Sequence, residues 1–176
     1  MVSVVRRLRR TQASLDASRR LLEIELNRRY ELAGELVVAA RRAGVPTTTL
    51  GPLAGARSLA LGFREQQLAL CEQAGSENAL SVALHRVLAT VSADSTLRND
   101  WSVQRPALDA TTVEQRLAGA VRVYNGVATS MNALVRALPA GPVASAFGGR
   151  TAALFEAAAA VVVDESEAPT TVFARV

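Results

Sequence analysis

Apolar residues recur along the first forty positions at the spacing of one helix face: Leu8, Leu15, Leu22, Leu26, Ala33, Val37 and Ala40. At about 100° per residue they form a single narrow stripe, and no proline or glycine interrupts it before Gly34. The pattern predicts one helix of about forty residues, from about Val4 to the "RRAGVP" stretch. Gly44 suits the position just past a helix end, and Pro46 blocks continuation. A turn-rich "TTTLGPLAG" leads to a second helix, expected from about Leu53 to Ala74 with Leu53, Ala56, Ala60, Phe63, Leu70 and Ala74 on one face. "AGSEN" is expected to break the chain, with Ser76 as N-cap of a third helix marked by Leu80, Leu84, Val87 and Val91.

Around Trp101 the pattern is ambiguous, because Pro106 either ends a short helix or kinks a long one. From Val113 it is regular again through Leu117, Ala120, Tyr124, Val127, Met131, Leu134 and Leu138. "PAGP" reads as a turn, "VASAFGG" as a helical turn, and "RTAALFEAAAAVVV" as a short helix or an extended segment. The predicted fold is all-α: an antiparallel four-helix bundle of long helices with a short C-terminal extension. Residues 1–156 would form the bundle and 157–176 a short C-terminal segment or tail.

Composition supports that class. The chain has 176 residues, 49% hydrophobic but only 4% aromatic, so its core is built of alanine, leucine and valine. All twenty basic residues are arginine, a bias that a GC-rich coding sequence explains without any binding role. Residues 1–42 carry ten arginines against five acids, a net +5; the remainder carries ten against eleven, a net −1. The basic character belongs to the first helix.

One cysteine and one histidine leave no disulfide framework and no clustered soft-metal site to expect. No apolar run reaches the length of a membrane span, and no apolar region follows the basic "MVSVVRRLRR" as in a signal peptide. No phosphate-binding glycine loop, HExxH, GxSxG or carboxylate pair is present, so neither an enzyme nor a cofactor is expected. His85 is a weak catalytic candidate without partners nearby, Cys71 is expected as a small buried hydrophobe, and Trp101 is expected to pack a corner of the bundle.

Several short motifs then fall in order. "LNRRYEL" (Leu26–Leu32, with Arg28 and Arg29) lies on helix one, and "ARSLA" (Ala56–Ala60, with Arg57) on helix two. "VEQRLAGAVRVYN" (Val113–Asn125) carries Glu114, Arg116, Tyr124 and Asn125. "LPAGPVASAFG" follows with Pro139, Ala144, Phe147 and Gly148, then "LFE" with Phe155, and "APTTVF" near the end. In order and spacing they resemble the LemA family of bacterial proteins over nearly the whole chain.

The sequence departs from the family pattern in four places. The usual N-terminal transmembrane helix is missing: either this member lost it, or the true start lies upstream. Gln115 stands for an asparagine, Val121 for an arginine, and a short insertion surrounds Trp101 and Pro106.

The resemblance implies a non-enzymatic scaffold or protein-interaction module at or near the cytoplasmic membrane face, with an unidentified protein partner. Location would be the membrane periphery if an anchor lies upstream of residue 1, and the cytoplasm otherwise. Beside a membrane, Arg6, Arg7, Arg9 and Arg10 are candidate contacts for anionic lipid, at about 1 kcal/mol each. The alternative is a soluble arginine-rich protein whose first helix binds an acidic partner or nucleic acid. Nucleic acid is the less favoured partner, since no aromatic residues interleave with the arginines. No small-molecule ligand is evident.

Two readings are open for the arginine pair. Arg28 lies opposite the stripe, while Arg29 lies only about 60° off it. Both can form local pairs with Glu25 or Glu31 on a solvated face, worth about 0.2–0.5 kcal/mol each. Alternatively Arg29 reaches a carboxylate on another helix, with Glu114 the candidate. Tyr124 is expected in the core with its hydroxyl partnered. Asn125 and Asn132, seven apart, share a face from which they could hydrogen-bond across helices and fix register, or hold a ligand.

Overall fold

The computed structural model describes residues 2–137 and 151–156. Among these, every regular element is an α-helix: α1 (Val2–Arg42), α2 (Thr47–Glu65), α3 (Leu70–Ala93), α4 (Ser95–Asn99) and α5 (Trp101–Ala137). The expected all-α class is therefore present, with five helices in place of four, the extra one a five-residue turn of helix between α3 and α5. The expected features at Leu138, Pro139, Ala144, Phe147 and Gly148, and the tail from 157, lie outside the described residues.

α1 is 41 residues long, about 60 Å. It ends where the glycine signal placed its end. Gly44 has φ +89°, its N–H donates to Arg41 O at 3.1 Å, and Val45 N–H reaches back to Ala40 O at 3.0 Å. Those two bonds close a Schellman motif, and buried Val45 and Ala40 supply its apolar contact.

The break between helices two and three falls elsewhere than expected. α2 stops at Glu65 and α3 begins at Leu70, so Ser76 is a buried interior residue of α3 and not its cap. The terminator is a second Schellman motif: Gln67 N–H donates to Arg64 O and Leu68 N–H to Phe63 O. Its left-handed residue is Gln67, at φ 53°, where glycine is usual. Glu72 then accepts the Ala69 N–H at 2.8 Å, which starts α3 without a serine or threonine.

At the other ambiguous stretch two aspartates decide. Asp94 Oδ1 accepts the N–H groups of Thr96 and Leu97 and caps α4; Asp100 Oδ1 accepts that of Ser102 and starts α5. Pro106 therefore sits inside α5, in its second turn, where it removes one hydrogen bond from the ladder without ending the helix. Trp101, expected to pack a corner, is 68% exposed as the first residue of α5, and Cys71, expected buried, is exposed. Cys71 points outward because it is the second residue of α3 and not part of the expected second helix, and Trp101 stands at the very start of α5.

α1 packs mainly on α5, and α2 mainly on α3. The α1–α5 pair is antiparallel. Arg29 meets Glu114, Arg19 acts on Tyr124, and Val38 and Arg42 share a cleft with Ser102 and Arg105. Leu8, Leu15, Leu22 and Leu36 recur at sevens along the buried seam of α1, and Arg29 occupies the remaining place in that series. α5 answers with Val103, Ala110, Leu117, Tyr124 and Met131, also at sevens and all buried.

Holding glutamine in the left-handed region costs roughly 1–2 kcal/mol, and glycine's added unfolded-state freedom takes back about 0.4–1. Gln67→Gly is expected to raise stability by about 0.5–1 kcal/mol in urea unfolding. An unchanged or lowered midpoint would contradict the Schellman assignment.

Candidate functional site

Two clusters gather the residues that the sequence motifs single out. The first is a buried polar network joining α1, α3 and α5. Arg29 is 2% exposed, Glu77 1% and Glu114 6%. Arg29 Nη1 donates to Ser81 Oγ at 2.7 Å and to Glu114 Oε1 at 3.2 Å, while Nη2 donates to Glu77 Oε2. The Ser81 hydroxyl donates to Glu114 Oε2 at 3.1 Å, and the Tyr30 hydroxyl donates to Glu77 Oε1. Formally one guanidinium faces two carboxylates, and two hydroxyl donors support the excess negative charge. Arg29 Nε finds no acceptor among the described residues.

Of the two readings of the arginine pair, each residue takes one. Arg28 stays on the solvated face and pairs with Glu31 at 3.0 Å. Arg29 turns inward to Glu114 and Glu77 instead of pairing with Glu25.

Arg57 connects the network to α2. Half-buried, it donates from Nε to the Tyr30 carbonyl oxygen at 2.6 Å. Gly34 makes room for it: a β-carbon there would lie 3.2 Å from Arg57 Nε and Cζ. Beside them runs an open cleft of about 920 Å³ with Arg28, Glu31, Glu35, Arg57, Arg105 and Asp109 among its walls. Leu26 and Leu32 are core residues flanking the pair, Ala56 is half-buried, and Arg116 is exposed.

The second cluster lies on α5. Asn132 brackets Ala152, donating from Nδ2 to its carbonyl at 2.9 Å and accepting its N–H at 2.7 Å. Asn125 brackets Phe155 in the same way, at 3.0 and 2.9 Å. The Tyr124 hydroxyl donates to Ala153 O at 2.9 Å. Seven helical residues rise about 10.5 Å, and three residues of extended chain cover about 10 Å. The spacing of the two asparagines therefore matches an extended segment, which is what residues 151–156 form, antiparallel to α5. Phe155 is fully buried at its end.

Glu77, Ser81 and the Tyr30 hydroxyl were the members that sequence reasoning missed. Glu77 lies in "AGSEN", which reads as a break between helices. Once α3 is seen to start at Leu70, Glu77 stands seven and fourteen residues before the buried Leu84 and Val91. That seam position was the available signal. His85 is exposed, and among the described residues no group of three His, Cys, Asp or Glu side chains is placed to hold a metal ion.

A family model describing the LemA family matches residues 19–173, most of the chain. The chain belongs to the LemA family. The match takes in Arg29, Arg57, Glu114, Tyr124, Asn125 and Phe155, and leaves Arg6, Arg7, Arg9 and Arg10 before its start. A comparison with curated proteins finds no match. In this LemA-family chain, then, the buried network and the asparagine ladder both lie within the region that defines the family.

Burial, reinforced by the neighbouring Glu77 carboxylate, pushes the Tyr30 hydroxyl above the ordinary tyrosine range, with Arg29 and Arg64 opposing. Burial also raises Tyr124. A phenol held neutral in the fold contributes fully below its unfolded value of ~10 and loses that contribution as pH rises through the folded value. Tyr30 is therefore expected to ionise only as helix content is lost, when tyrosinate absorbance of a Tyr124→Phe chain and its circular dichroism are followed together. Tyr30→Phe should lower stability at neutral pH by about 1–3 kcal/mol and flatten its decline in alkali. Ordinary tyrosine titration with the helices intact would contradict this.

Proposed function

We propose that this LemA-family chain is a non-enzymatic scaffold or protein-interaction module working at or near the cytoplasmic membrane face. Its body is the antiparallel bundle of four long helices, with α4 as a corner. The observation that carries the reading is the start of α1. Arg6, Arg7, Arg9 and Arg10 are all exposed, while Leu8 among them is 5% exposed. At about 100° per residue the four arginines fan over an arc of roughly 160°, diametrically opposite Leu8. One side of the helix is thus held by the bundle and the other offers four guanidinium groups to a flat anionic surface.

The interior favours scaffold over enzyme. Both buried carboxylates are already engaged by Arg29, Tyr30 and Ser81, an arrangement that ties helices together and leaves no base poised toward a substrate. No helix among the described residues is long and apolar enough to cross a membrane. Membrane contact through this part of the chain would therefore be made at a surface.

The full chain is expected to co-sediment with vesicles containing anionic lipid and not with purely zwitterionic ones. Binding should fall at least ten-fold when Arg6, Arg7, Arg9 and Arg10 are all changed to Gln. Salt-sensitive DNA binding without any lipid binding would overturn the membrane reading in favour of an acidic macromolecular partner.

A further inference from the structure

Residues 151–156 are held in an unusual way for a piece of a helical bundle. Five hydrogen bonds fix them to α5, and every one ends on a main-chain atom of the segment. Nothing in that set reads a side chain. Thr151, Ala153, Leu154 and Glu156 are exposed, Ala152 is half-buried, and only Phe155 is fully enclosed, where it joins the buried apolar cluster. The recognition rule is therefore short: an extended backbone with a small residue opposite Asn132 and a phenylalanine three residues later, opposite Asn125.

Strand-adding peptide sites follow the same logic, with main-chain bonds supplying affinity and one or two pockets supplying choice. Here a helix does it, because each side-chain amide carries both a donor NH2 group and an acceptor oxygen and so imitates a strand edge.

We propose that the α5 face bearing Tyr124, Asn125 and Asn132 is a peptide-binding site. Its ligand is an extended segment of another protein with a small residue three positions before a phenylalanine. Residues 151–156 are its resident occupant, a segment of this chain that must leave for the ligand to enter. Asn125 and Asn132 are only half-buried, so their amides meet water once the segment departs; the Tyr124 hydroxyl, on a side chain 5% exposed, loses its acceptor in the same step and is uncovered where Ala153 lay. By the antiparallel register of α1 and α5, this face lies toward the end of the bundle that carries Arg6 to Arg10. A captured peptide would then lie near the basic end of α1, a consequence that rests on the proposed function; the peptide site itself does not.

The test uses the full chain carrying Phe155→Ala, which removes the resident anchor, titrated with a fluorescent peptide of sequence TAALFE. Saturable binding is expected, at least ten-fold tighter than to the wild-type chain, whose own segment competes. Adding Asn125→Ala and Asn132→Ala should abolish it. A peptide with lysine in place of its leucine should bind as well as the parent, and one with alanine for phenylalanine should not.

A second arm keeps Phe155: with Cys71→Ser to leave one labelling site, a spin label on Leu154→Cys should gain mobility when excess TAALFE peptide is added. No capture by a folded Phe155→Ala chain together with an immobile label would overturn the proposal. So would energy transfer between two labelled copies showing that segments exchange only between identical chains. Lipid binding measured in parallel separates failure of this site from failure of the membrane reading.

Discussion

A guanidinium enclosed by three helices is the constraint on which the bundle's arrangement depends. Leu8, Leu15, Leu22 and Leu36 would allow α1 to slide along α5 by seven residues and meet an equivalent apolar layer. Arg29 forbids the slide. Moved by about 10 Å, its charge would lie among leucines and valines, while Glu77 and Glu114 would lose the one cation within hydrogen-bond reach among the described residues. Leaving a buried charge unpaired costs about 3–5 kcal/mol, far more than a changed leucine contact. The network thus selects one register among several that the apolar stripe tolerates, as a polar residue in a coiled-coil seam does.

The same register sets what lies elsewhere. With α1 and α5 fixed by Arg29 and Glu114, Tyr124 comes level with Arg19, and the asparagine ladder falls between the network and the basic start of α1. Tyr30 links the network to α2 through its carbonyl, which accepts from Arg57 in the space that Gly34 leaves open. Signature residues on three helices therefore act as one unit. Arg28, in the same signature, serves only the solvated face, where an exposed pair with Glu31 adds a few tenths of a kcal/mol.

Long periodic segments were legible in the sequence because burial repeats along them: α1 and the second half of α5 follow their leucine and alanine spacing almost to the residue. The α2–α3 break was not, since it is made by Gln67 adopting a conformation that glycine usually marks, and α3 starts from Ala69, which has no side-chain oxygen to cap it and is held only by Glu72 bonding back to its N–H. That one displaced boundary hid Glu77, put Ser76 at a helix start, and misplaced Cys71. The Arg29–Glu114 contact could be framed from helix phase alone. The partners of Asn125 and Asn132 could not, because an irregular segment has no periodicity to announce that its main chain will be paired.

The register claim is tested most directly by a double-mutant cycle on Arg29 and Glu114, with each residue changed to alanine singly and together, and stability read from denaturant unfolding. Contacting members of one network couple by about 0.5–3 kcal/mol, and a buried pair of opposite charge belongs in the upper half of that range. The account predicts a coupling energy above about 1.5 kcal/mol, with each single variant costing nearly as much as the double. Additive losses with no coupling would contradict it.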